Sequence, residues 1–173
     1  MYAMECKLRK WKTEDARELA AMINNKNIQN NLRDGLPFPY SENDAKTFIR
    51  ELLTADASNT FVFAVTYKEK IAGSIGVYRK DNIHFRTGEL GYYIAEPYWG
   101  KGLGTSAVRQ ICEYIFNKTD IIRIFAEPFA YNAASCSILE KNGFVYEGTL
   151  RRNAVKNGRI LDMKMYALIK PGF

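Results

Sequence analysis

The chain has one histidine and three cysteines in 173 residues, and it has no run of eighteen apolar residues. Each scarcity closes off a class. Without such a run no membrane-spanning helix is expected. The opening residues Met1 to Lys7 carry no apolar h-region, so no secretion signal is expected either. The cysteines, at positions 6, 112 and 136, have neither metal-ligand spacing nor a disulfide framework. They fit a reducing cytoplasm, with Cys112 on an apolar helical stripe and no bound metal. The lone histidine, His84, lies in the polar segment Lys80 to Arg86. A Ser–His–Asp arrangement is therefore unsupported, and a surface position is expected for it. Repeats, linkers and low-complexity tracts are absent, and the length suits one domain over residues 1–173.

The formal charge is +6, but the positive residues are dispersed. The densest cluster, Arg151-Arg152 with Lys156 and Arg159, matches no nucleic-acid motif. A ligand carrying several phosphates would account for part of a positive rim. The order read from hydrophobic periodicity is β-α-α-β-β-β-α-β-α-β-β. Strands are expected at Glu5 to Trp11, Thr60 to Tyr67, Ile71 to Arg79, Thr87 to Ile94, Ile121 to Ala126, Phe144 to Arg152 and Arg159 to Ile169. Thr13 is expected to cap a first helix running to about Asn25, and Ser41 a second, with Asp44 at the reciprocal position. Asn30 to Tyr40 reads as a loop. Lys68-Glu69-Lys70 and Lys156-Asn157-Gly158 read as hairpin turns.

The densest signal runs from Tyr92 to Thr105. An apolar strand enters a turn, meets glycines at alternate positions 100, 102 and 104, and continues as a helix over about Thr105 to Asn117. Bare glycines leave backbone N–H groups free to face a ligand. The helix N-terminus adds its positive dipole end, so the loop reads as an anion site for a phosphate-bearing cofactor. The G-x-G-x-G spacing is not the dinucleotide fingerprint, and no nucleotide P-loop is present. A second segment, Asn132 to Phe144, reads as a helix capped by Asn132 and ended by left-handed Gly143.

Together these segments resemble the GNAT N-acetyltransferases. Trp99-Gly100-Lys101-Gly102-Leu103-Gly104 is similar to the family's acetyl-CoA pyrophosphate loop, usually Arg/Gln-x-x-Gly-x-Gly/Ala, with Trp99 departing at the first position. Asn132-Ala133-Ala134-Ser135 through Gly143-Phe144 is similar to its second motif. The resemblance implies an α/β fold, the GNAT acyl-CoA N-acyltransferase fold, with a mixed, splayed β-sheet flanked by helices. It implies acetyl-CoA as cosubstrate and no metal. It gives the pyrophosphate to Lys101, Gly102, Leu103, Gly104 and Thr105, and the pantetheine to backbone groups of Tyr93, Ile94 and Ala95. Asn132 would hold the pantetheine arm or only cap its helix.

Amide formation from a thioester requires a base for the amine, a polarised carbonyl, proximity and a leaving thiolate. Glu89, on the strand entering the glycine loop and on the face of Gly91 and Tyr93, is the candidate general base. An ion pair with Arg86 is the alternative. The tyrosine that many family members use as acid, seven residues after the motif asparagine, is Leu139 here. In the ribosomal-protein-alanine branch a serine near the helix start serves the thiol, and Ser135 matches it. The same branch implies an acceptor loop over Asn31 to Tyr40, with Arg33, Phe38 and Tyr40 lining it. Arg151, Asp162 and Tyr166 read as a structural ion pair and a core aromatic. The acceptor implied is a protein N-terminal α-amine, whose ordinary pKa near 8 suits a single modest base better than a lysine near 10.4. A polyamine, aminoglycoside or other small amine, or a non-catalytic acyl-CoA-binding module, stands as the alternative. No nucleic-acid or membrane partner is expected, and homodimerisation is left open.

Overall fold

A computed structural model describes residues 4–173. Seven strands form one sheet: β1 (Lys7–Arg9), β2 (Thr60–Tyr67), β3 (Lys70–Arg79), β4 (Thr87–Ile94), β5 (Arg123–Ala126), β6 (Val145–Lys156) and β7 (Arg159–Ile169). Their spatial order is β1-β2-β3-β4-β5-β7-β6. Every neighbouring pair is antiparallel except β4 with β5. A parallel pair needs a long crossover, and α4 (Leu103–Lys118) supplies it. The other helices are α1 (Ala16–Ile23), α2 (Lys26–Gln29), α3 (Glu42–Thr54) and α5 (Ala133–Lys141).

Two apolar clusters lie on opposite faces of the sheet. One joins Val77 and Leu90 to Leu103, Val108, Ile111 and Ile115 of α4 and Leu139 of α5. The other joins Ala64 and Ile71 to Leu19 and Ile23 of α1 and Ile49 of α3. Cys112, expected on an apolar helical stripe, and Tyr166, expected as a core aromatic, are both buried. His84 ends an exposed 3-10 turn, Asn82–His84. No helix among the described residues is long and apolar enough to cross a membrane.

Several boundaries differ from the sequence reading, each for a local reason. Thr13 does not cap the first helix. It lies inside a 3-10 turn, Thr13–Asp15, whose N-cap is Lys12. The Asp15 carboxylate accepts the Lys12 N–H at 2.9 Å and holds Arg9 of β1 at 2.7 and 2.8 Å, so an acid within the turn, not a hydroxyl at its cap, fixes the helix start. α1 stops at Ile23, and Asn25 caps the unexpected α2 by accepting from Asn27 and Ile28 N–H. The β2–β3 turn is two residues, Lys68 and Glu69 at φ 48° and 64°, the shape that matches strand twist even without glycine. Lys70 belongs to β3. α4 begins two residues earlier than predicted, and β5 two residues later. β6 continues to Lys156 through a bulge with Arg152 at φ 53°. Asp162 does not make the expected ion pair with Arg151. Its Oδ1 accepts the Arg152 N–H at 2.7 Å and satisfies the bulge.

Candidate active site

β4 pairs with β5 only over Thr87–Glu89, although against β3 it stays paired to Ile94. From Leu90 onward its other edge is open, and a cavity of about 760 Å³ occupies the gap, within the range of cofactor sites. Backbone polar groups alternate sides along a strand. The Ala95 N–H donates to Ala72 O at 2.8 Å, so Ala95 and Tyr93 point their backbone at β3. By that alternation Tyr92 and Ile94 face the gap. Of the three backbone positions named from the resemblance, Ile94 alone turns outward. Its carbonyl already accepts the Trp99 indole N–H at 2.6 Å. Trp99, which departs from the family pattern, thus ties the loop to the strand end.

The glycine loop enters α4 through Gly102, left-handed at φ 89°, with no side chain capping the helix. The first intrahelical acceptor is Gly102 O, taken by Ser106 N–H at 3.0 Å. The N–H groups of Leu103, Gly104 and Thr105 have no helical partner, and all three residues line the cavity. Gly104 has a second reason to be glycine, because a Cβ there would come within 2.8 Å of Ile138 Cδ1 on α5. Lys101 is not among the lining residues. Its Nζ donates to Pro97 O at 2.6 Å and so braces the loop from outside.

Across the gap, Asn132 Oδ1 accepts the Ser135 N–H at 3.2 Å and caps α5. Ser135 Oγ lies 2.8 Å from Tyr92 Oη, and Tyr92 Oη also reaches Ser135 O at 3.3 Å. Both side chains line the cavity. Burial pushes the Tyr92 hydroxyl well above its ordinary pKa, so it stays protonated. Leu139, where a tyrosine was looked for, is fully buried in the core. Tyr92 was missed in the sequence because only the fold carries its hydroxyl from strand to helix.

At the opposite end sit two carboxylates. Glu89 does not pair with Arg86, whose Nε donates to Asp120 O at 2.8 Å. Arg33 bridges Glu89 at 2.5 Å and Glu127 at 3.1 Å, with Lys80 at 3.7 Å from Glu89. Glu127 was also missed. Its signal is positional: it follows the carboxyl end of β5, the parallel partner of β4, where open α/β sheets bind ligands. Tyr40 is buried, and burial raises its hydroxyl pKa to about 12. Phe38 is 50% exposed and lines neither this cavity nor the smaller one beside it. Lys26 lies over its ring instead, at 5.0 Å.

A parted parallel pair with an uncapped helix N-terminus aimed into the gap forms a site suited to a phosphate-bearing ligand. A family model described as the acetyltransferase (GNAT) domain matches residues 6–145. The chain belongs to the GNAT acetyltransferases, enzymes with acetyl-CoA as cosubstrate. It is 30% identical over 165 residues to YdaF of Bacillus subtilis (strain 168), covering 91% of this chain and 87% of that one; that protein's name gives it provisionally as a ribosomal N-acetyltransferase. It is 28% identical over 163 residues to the spermidine N(1)-acetyltransferase of Vibrio cholerae, covering 93% and 91%. The solved structure of RimL, a ribosomal L7/L12 alpha-N-protein acetyltransferase in complex with coenzyme A, has the same fold, with a TM-score of 0.85 over 96% of this chain and 95% of that one at 20% identity.

Proposed function

We propose that the chain transfers an acetyl group from acetyl-CoA to the α-amine of a protein N-terminus by direct attack of the amine on the thioester. The observation that supports this reading is a single cavity lined both by the uncapped N-terminus of α4 and by Glu89. Pyrophosphate oxygens accept from the N–H groups of Leu103, Gly104 and Thr105 beyond Gly102. Pantetheine lies along β4 at Tyr92 to Ala95, with Asn132 holding its helix across the gap. Glu89 takes the amine proton, directly or through one water. The C–N bond forms, the C–S bond breaks, and the electron pair leaves on sulfur.

Ser135 faces that sulfur. Of the two contacts open to Tyr92, the 2.8 Å approach to Ser135 Oγ is the better hydrogen bond than 3.3 Å to its carbonyl. With Tyr92 donating to Oγ, the Ser135 proton is free to point into the cavity and stabilise the growing thiolate. Arg33 occupies the space before Glu89 and Glu127 that an acceptor ammonium would take, and the acceptor displaces it. Buried free cysteines 6, 112 and 136 suit a reducing cytoplasm.

The test is a Glu89→Gln variant. Turnover should fall about 10²–10⁴-fold, with acetyl-CoA affinity by calorimetry unchanged. Near-normal turnover would return Glu89 to an ion-pairing role. A second reading, a polyamine acceptor, is favoured by one observation: Glu89 and Glu127 together already hold a cation. Spermidine-dependent CoA release in the same assay separates the two.

A further inference from the structure

Glycine inside a strand weakens it, and often marks a place where something must approach the backbone closely. Gly76 of β3 and Gly91 of β4 lie directly opposite each other. They do not share one explanation. A Cβ on Gly76 would stand 2.7 Å from Val62 Cγ2, so packing against β2 accounts for it. A Cβ on Gly91 would meet no heavy atom within 4 Å. The fold itself leaves that space empty.

The space is a second cavity, of about 210 Å³. Gly76, Gly91, Tyr78 and Tyr93 line it from the sheet, and Leu36 and Phe48 line it from the roof made by the loop before α3 and α3 itself. None of its lining residues is charged. It borders the larger cavity: Leu32, Tyr78, Gly91, Tyr92 and Tyr93 line both. Glu89 lies two residues from Gly91 on the same strand face, about 7 Å along β4. At about 30 Å³ per water the volume equals some seven waters, enough for one side chain and too little for a run of residues.

We infer that this pocket receives the side chain next to the reacting amine, so that the acceptor is a primary amine whose neighbouring side chain is uncharged and apolar or aromatic. The inference rests on the acetyltransferase reading above and goes beyond it in naming the acceptor's chemistry. A peptide N-terminus and a free amino-acid amide share that chemistry.

The experiment follows CoA release with peptides differing only in a first residue of Phe, Leu, Met, Gly, Asp or Lys, with the matching amino-acid amides, and with spermidine. Phe-, Leu- and Met-first acceptors should exceed Gly-, Asp- and Lys-first ones in kcat/KM by about 10-fold or more, the range a side-chain pocket commands. Peptides outrunning amides would name a polypeptide acceptor, and the reverse a free amine. Gly91→Val should collapse the Phe-to-Gly ratio by a similar factor. Leu36→Ala, which widens the roof and leaves β4 untouched, should shift preference toward a Trp-first peptide and serves if Gly91→Val fails to fold. Preference for Lys-first peptides or spermidine would overturn the pocket's assignment while keeping the acetyltransferase reading. A Gly91→Val loss equal for every acceptor would overturn it too. No CoA release from any amine, with acetyl-CoA bound by calorimetry, would overturn both.

Discussion

Ser135 and Tyr92 form the pair to which the proposed mechanism gives the leaving-group step, and their contact yields a test neither residue gives alone. If Tyr92 acts only by aiming the Ser135 proton, its own removal matters only while Ser135 is present. A neutral hydrogen bond is worth about 0.5–1.5 kcal/mol, so Tyr92→Phe should slow single-turnover acetyl transfer about 2–10-fold. Ser135→Ala should slow it about 10²-fold as the direct donor. The double variant should be no slower than Ser135→Ala, because the two losses share one interaction. Multiplicative losses would mean that Tyr92 has an independent role. The sequence offered Ser135 through its motif and Glu89 through its strand. It did not offer Tyr92 or Glu127, since their partners Ser135 and Arg33 lie 43 and 94 residues away in the chain. Phe38 is the opposite case: an aromatic in the right loop that the chain path turns outward to meet Lys26.

At the scale of elements, what could be read from the chain was what local chemistry decides. Ser41 with Asp44 caps α3 reciprocally as predicted, the Ser41 N–H donating to Asp44 Oδ2 at 2.7 Å. Gly143 is left-handed at φ 81° where α5 ends. The start of the first helix was misread because its deciding contact is not local in kind: Arg9 sits on β1 and draws Asp15 into a bidentate pair. Arg9 also holds the Asp15 carboxyl below its ordinary pKa. That stabilisation is in place above the ordinary carboxylate value near pH 4 and fades as pH falls through the lowered one. Asp15→Asn should therefore cost about 1–3 kcal/mol at neutral pH, and its melting point should approach wild type as pH drops toward 3. A gap that stays constant from neutral to acid would mean the charge is irrelevant.

The whole molecule is two cores sharing one sheet, and the site lies where that sheet parts. On one side α4 and α5 converge on the opening, with Gly104 packed against Ile138. On the other, the loop between α2 and α3 reaches it through Arg33, and Lys156 of the β6–β7 hairpin holds the next residue, Asp34, at 2.6 Å. In the proposed mode acetyl-CoA enters as a wedge between β4 and β5, so it would contact elements from both sides while the unfolded chain offers it nothing. Binding must then stabilise the fold by mass action, about 2.7 kcal/mol at a hundredfold excess over Kd. For a chain of this length that is a rise in melting temperature of about 5–10 °C. The location of the gain is as specific as its size. The N–H groups of Leu103, Gly104 and Thr105 lack helical acceptors, so they should exchange with deuterium fast in the free protein and slow markedly once pyrophosphate accepts from them. The N–H of Ser106, already bonded to Gly102 O at 3.0 Å, should change far less. Uniform slowing across α4, or slowing confined to the β6–β7 hairpin, would mean that the cosubstrate binds somewhere other than the parted strands.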